Sequence, residues 1–202
     1  MARPARSREP LLDAAEELLL ARGYAATQLD VVCERAGVSR GGLFYHFDTK
    51  EALAEAAVQR FFQRLLSEAQ KALGAAAPST ATETLFAYVD AVTDMTRAPA
   101  LARGCLLGMV TMECAETFPS LAEVADHGFT EWHRGLTGLI QEAAAERDVE
   151  IDTAGLATTF LAAVEGGLLL DRHRGARRAV DAALAHFRQY LAWLLQFPEE
   201  GS

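Results

Sequence analysis

The residues from Ala36 to Leu53, AGVSRGGLFYHFDTKEAL, constrain the fold of this chain more than any other stretch. Gly37 can take the left-handed backbone that closes a helix. Ser39 offers a side-chain oxygen to cap the next one. That next helix has room for little more than a turn, and it carries the cluster Leu43-Phe44-Tyr45-His46-Phe47. A second turn at Asp48-Thr49 follows, with Thr49 placed to cap a longer helix from Lys50. Short helix, tight turn and helix again is the pattern of a helix-turn-helix unit. The second helix of such a unit enters the DNA major groove with its N-terminal residues nearest the base edges. Here those residues are Arg40, Gly41 and Gly42. Two adjacent glycines cost a helix roughly 1 kcal/mol each relative to alanine, so something other than helix stability favours them. Close approach of backbone to DNA is the expectation. Arg40 suits a guanine edge or a phosphate, Tyr45 and His46 can reach phosphate oxygens, and Leu43, Phe44 and Phe47 supply faces that hold the short helix to its neighbours.

The run Gly37 to Phe47, GVSRGGLFYHF, with Lys50-Glu51-Ala52-Leu53, resembles the signature of the tetracycline-repressor (TetR) family over about Arg6 to Ala72. The resemblance implies an all-α transcriptional regulator. An N-terminal three-helix DNA-binding domain would be joined to a larger C-terminal helical domain for ligand binding and dimerisation. It also implies a double-stranded DNA operator, a small-molecule effector of unknown identity and no enzymatic activity. Carried over residue by residue, the DNA-contacting positions are Thr27, Gln28, Ser39, Arg40, Gly41, Gly42, Tyr45, His46 and Lys50. One departure is Phe44, where the family commonly has tyrosine, so a phosphate contact by that hydroxyl is absent or has moved to Tyr45.

The net charge of −9 argues at first against nucleic acid, so its distribution matters. Residues 1–72 hold ten Lys/Arg against ten Asp/Glu, and the whole deficit lies beyond them. A local basic face on a neutral module suffices, because phosphate neutralisation is a matter of local contacts. Arg3, Arg6 and Arg8 precede the first helix. Half of the residues are apolar and 23% charged, ordinary for a globular protein. No uninterrupted apolar run of about 18 residues occurs and the N-terminus lacks the apolar core of a signal peptide. A cytoplasmic protein without a membrane span is expected. Cys33, Cys105 and Cys114 are odd in number and without metal-ligand spacing, which argues against a disulfide framework or zinc site. Nothing calls for a cofactor.

In chain order, residues 1–6 read as an arm. Ser7 caps a first helix with an apolar face of Leu11, Leu12, Ala15, Leu18 and Leu19, ended by Gly23. Thr27 is placed to cap a second helix, with Asp30 three residues on. The helix from Lys50 to about Ala72 has two adjacent apolar edges and reads as the lever between domains. Its end at GAAAPST, Gly74 to Thr80, is the best boundary. The expected division is a helix-turn-helix domain at 1–50, a linking helix at 50–73, and a ligand and dimer domain at 74–202. In the latter, helices are expected at about 81–97, stopped by Pro99, and at 103–115, 119–146, 153–173 and 175–197. The wide apolar stripes of the last two helices suit a four-helix interface across a two-fold axis.

A pocket in the larger domain follows from the resemblance, with Met109, Met112, Glu113, Phe129, Trp132, His133, Phe160 and Glu165 as candidate lining. Glu165 stands out because a charge in the apolar run Phe160 to Leu170 is costly unless paired or used. Some relatives place a sensing cysteine near Arg103-Gly104-Cys105, so a redox- or electrophile-responsive role for Cys105 is an alternative; it needs an exposed thiol of lowered pKa. A helical scaffold that binds no DNA is another, but it leaves Arg40-Gly41-Gly42 without a reason. Neither His127, Glu131 and His133 nor Asp171 and His173 have the spacing of a hydrolytic metal site.

Overall fold

The computed structural model describes residues 8–98, 101, 103–172 and 178–197. Among them every regular element is helical: α1 Arg8–Arg22, α2 Leu29–Ala36, α3 Arg40–Phe44, α4 Lys50–Ala76, α5 Ala81–Arg97, α6 Leu106–Cys114, α7 Pro119–Glu146, α8 Thr153–Asp171 and α9 Arg178–Leu194. The expected arm, the Ser7 cap, Pro99 and His173 lie outside the described residues, as does the expected start of the last helix at Gly175.

The described residues form two compact units. The first contains the chain up to Arg64 together with Cys105–Phe129, so α6 and the start of α7 join the N-terminal helices. Its core includes Leu11, Leu12 and Leu19 of α1, Val32 of α2, Leu43 of α3, Phe61 of α4, Leu106 and Leu107 of α6, and Leu121 of α7, all but completely buried. One carboxylate is buried with them. Glu16 sits at 5% exposure because Arg60 Nε donates to it at 2.7 Å and Arg64 lies 2.7 Å from its other oxygen. Arg60 also reaches Glu9 and Asp13, and these partners keep its charge in place although burial opposes it.

The second unit contains 65–104 and 130–202, with α8 and α9 as an antiparallel pair. Gly167 lets them touch: a Cβ there would stand 2.5 Å from the Val180 Cα. Asp171, buried at the end of α8, accepts from the backbone N–H groups of Ala179 and Val180. Glu146, at the end of α7, accepts from the N–H and hydroxyl of Thr82 in the first turn of α5. A carboxylate at a helix N-terminus meets orphan donors and the positive end of the helix dipole.

The helix ends explain most differences from the expected bounds. α4 runs through Gly74 to Ala76 and stops where Ala77 turns left-handed (φ 46°) ahead of Pro78. A single glycine lowers helix stability without forbidding the helix, whereas proline cannot continue it. α6 begins at Leu106, not 103, because Gly104 at φ 109° is outside helical geometry and Cys105 is the N-cap. Thr27 does not cap α2. Gln28 occupies the cap without a side-chain bond, and the Thr27 hydroxyl donates to the Gly23 carbonyl at 2.6 Å, closing the turn from α1. α8 is long and apolar enough to cross a membrane by composition alone. Here one side of it is buried, including Leu156, Phe160, Val164 and Leu168, while Leu169 and Leu170 are exposed.

Candidate nucleic-acid interface

The first unit builds a helix-turn-helix from local signals. Gly37 closes α2 at φ 63°, with the N–H of Val38 returning to the Cys33 carbonyl at 3.0 Å. Ser39 caps α3 by accepting from the Gly42 N–H at 3.1 Å, and Thr49 caps α4 by accepting from Ala52 at 3.0 Å. Leu43, fully buried, and Phe47 anchor the short helix.

What α3 leaves outside is a compact aromatic and basic surface. Tyr45 is 70% exposed and Phe44 42%. Tyr45 meets His46 edge-on at 5.0 Å, and the Arg40 guanidinium lies 5.8 Å from the Phe44 ring centre. Arg40 also holds Asp30 of α2 at 2.6 Å, with both side chains more than half exposed. An exposed pair of this kind is worth at most about 1 kcal/mol, so the guanidinium is available to a better partner.

The two glycines have different reasons. A Cβ on Gly42 would stand 2.9 Å from Val38 Cγ1, so the α2–α3 turn itself excludes a side chain there. A Cβ on Gly41 would meet nothing within 4 Å. Gly42 thus has a reason within the fold, whereas the fold gives Gly41 none.

Thr27 and Ser39 have their hydroxyls engaged within the turn and the cap, while Gln28 is exposed at the start of α2. Lys50 is folded inward: Nζ donates to the Ala25 carbonyl at 3.2 Å and lies 4.3 Å from the centre of the Tyr24 ring. Burial pushes its pKa down, and the charge of Glu113 works against that shift. Lys50 also lines a crevice with Ala15, Leu19, Tyr24, Thr27, Leu29, Leu53 and Ala54, which at about 10 Å³ admits a single water and no organic effector.

The effector candidates divide between the units. Met109, Met112, Glu113 and Phe129 belong to the first, where Met112 is 77% exposed and Glu113 binds the backbone N–H groups of Tyr24 and Ala25. Sequence reasoning missed that contact, which spans almost ninety residues. Trp132, His133, Phe160 and Glu165 belong to the second. Phe160 is fully buried between Trp132 and Phe187, with ring centres at 6.4 and 5.2 Å. Burial pushes the Tyr88 phenol up to about 12, with Trp132 working against the shift. His133 Nε2 is 3.1 Å from both the Ala154 carbonyl and the Thr158 hydroxyl. Glu165 is half-buried, with its Oε1 shielded from solvent.

The three thiols are buried and unlinked. Burial raises Cys33, and it raises Cys114 to about 11, with Glu113 adding to the effect. Cys105 is 4% exposed. Among the described residues no three His, Cys, Asp or Glu side chains are grouped as metal ligands.

Residues 11–57 match the family model of bacterial regulatory proteins of the tetR family, and residues 81–187 match that of the tetracyclin repressor-like C-terminal domain. The HTH-type transcriptional activator FasR of Mycolicibacterium smegmatis is 42% identical over 66 residues, which are 33% of this chain and 30% of FasR. The HTH-type transcriptional repressor DhaR of a Mycobacterium species (strain GP1) is 24% identical over 181 residues, 88% of each chain. The crystal structure of a TetR transcriptional regulator from Chloroflexus aurantiacus superposes with a TM-score of 0.84 at 26% identity, over 95% of this chain and 97% of that one.

Proposed function

The chain belongs to the tetR family of bacterial regulatory proteins, and we propose that it is a repressor that holds a near-palindromic operator as a homodimer and lets go when a small ligand binds. The observation that carries the reading is α3: a recognition helix whose Gly41 is open while Arg40, Phe44 and Tyr45 face solvent. Arg40, released from Asp30, reads a guanine edge or a phosphate. Tyr45, His46 and Gln28 hold phosphates, and the main chain at Gly41 comes close to the duplex. Thr27 and Ser39 act by fixing the turn and the cap, and Lys50 reaches a phosphate only when it leaves Ala25. Phosphate contacts fix register and base contacts select sequence.

Dimerisation through α8 and α9 is supported by Leu169, Leu170, Tyr190 and Trp193, large apolar side chains left exposed on those helices. A two-fold dimer reads half-sites about one DNA turn apart, roughly 34–36 Å. The aromatic interior around Trp132 and Phe160, with Glu165 as a charged group, is the proposed effector site, and a cation is the ligand chemistry Glu165 favours. Release requires the ligand to prefer the non-binding state, since equal affinity for both states shifts nothing. As a regulator of genes the protein would act in the cytoplasm.

The test is a binding selection on random duplex DNA with the wild-type protein beside an Arg40→Ala, Tyr45→Ala double variant. Enrichment of an inverted repeat that the variant loses is expected. A folded wild-type protein, refolded free of ligand, that enriches no sequence would overturn the reading.

A further inference from the structure

We propose that Glu113 withholds Lys50 from DNA, so that this α6 carboxylate sets how many phosphates the reading head neutralises; the proposal rests on the DNA-binding reading above. Glu113 accepts from the Tyr24 N–H at 2.6 Å and the Ala25 N–H at 2.8 Å. Gly23 makes room for it: at φ 80° a Cβ would collide with the carboxylate. The same two residues hold Lys50 by their other groups, the Ala25 carbonyl and the face of the Tyr24 ring. A carboxylate and an ammonium thus grip one turn through neighbouring groups, and each favours the other's placement.

The turn has other ties as well. The Thr27 N–H already returns to the Tyr24 carbonyl at 3.1 Å, its hydroxyl returns to Gly23, and the Tyr24 ring packs edge-on against Phe118 at 4.5 Å. Glu113 is one tie among several on this turn, and its charge also acts on the group that shares the turn with it. Lys50 is the first residue of α4 and its ammonium reaches a phosphate only by giving up Ala25 and the Tyr24 face. Cation–π and charged hydrogen bonds at a partly buried site are favourable enough to compete with one solvent-screened phosphate contact. With the Glu113 charge removed, the inward position weakens while the phosphate contact does not.

The chain has two lysines, Lys50 and Lys71, which makes the claim directly readable. In the free wild-type protein, trace acylation should label Lys50 several-fold more slowly than Lys71, an exposed lysine beside Glu68. Glu113→Gln should bring the two rates together and speed amide exchange at Tyr24 and Ala25. Equal rates in the wild type would overturn the proposal without any variant or any DNA. On the duplex selected by the wild type, the slope of log affinity against log salt should steepen by about one unit in Glu113→Gln. That gain should vanish in the Glu113→Gln, Lys50→Ala double variant, and Lys50→Ala alone should change the slope by clearly less than one. A slope unchanged by Glu113→Gln, or a gain that survives loss of Lys50, would leave Glu113 a brace for the turn and nothing more. A wild type that selects no duplex sinks the functional reading, and this proposal with it.

Discussion

Among the described residues two places leave large aromatic side chains in water, and they differ in what stands around them. On α3 the exposed Phe44 and Tyr45 stand with Arg40, His46 and an open Gly41. On α9 the exposed Tyr190 and Trp193 stack with ring centres 6.0 Å apart, and the exposed Leu169 and Leu170 of α8 lie toward the other end of the same helix pair, where Gly167 meets Val180. The first patch mixes π faces, a guanidinium and bare backbone, the means by which proteins hold a polyanion and read its edges. The second is apolar, which fits the proposed contact with another copy of the chain. Exposure of an aromatic alone does not distinguish these two roles; the neighbouring groups do.

The comparison breaks most visibly at Trp193. Trp193→Glu should raise the dimer dissociation constant about a hundredfold, about 3 kcal/mol, in sedimentation equilibrium, with the helical content unchanged. The same assay on Tyr45→Glu should show no change in self-association. Arg40→Ala should cost about 2 kcal/mol at one operator position in competition binding while leaving other positions as they were. A uniform loss across sequences would move Arg40 from reading to positioning.

The adjacent glycines sharpen the contrast on a smaller scale. Gly41→Ala should gain up to about 1 kcal/mol of stability in chemical denaturation while weakening operator binding. Gly42→Ala should lose about 1 kcal/mol, since Val38 must shift from a contact at 2.9 Å. The smallest effect is expected at the thiols. With Cys114 raised to about 11 the thiolate is scarce at pH 8, and all three sulfurs are buried. Thiol-reagent labelling of the native protein should be slow, and a rapid phase assigned to Cys105 would favour the oxidant-responsive alternative.

Much of the reading head was legible because its signals are local. Gly37, Ser39 and Thr49 do their work within four residues of themselves, and each does what its residue type predicts. Thr27 was not legible, because its hydroxyl had two nearby choices, the N-terminus of α2 or the Gly23 carbonyl, and only the closed turn decides between them. The pair Gly41-Gly42 could not be told apart without knowing where Val38 points. Glu113 is the clearest case. In sequence it is an acidic residue in an apolar helix, ready to be given to a ligand, and its partners lie 88 and 89 residues away. The grouping of Cys105–Phe129 with the N-terminal helices was hidden for the same reason: boundary cues such as Pro78 mark where a helix stops, not what it packs on.

The measurement that tests the account most directly is the mass of the complex formed on the selected duplex, set beside the affinity for one isolated half-site. Two chains on an inverted repeat, with the half-site bound far more weakly and Trp193→Glu losing the advantage of the full site, is the predicted result. One chain per duplex, or an inverted repeat and half-site bound equally well by the wild type, would contradict the pairing of an apolar self-association face with a separate DNA-reading face.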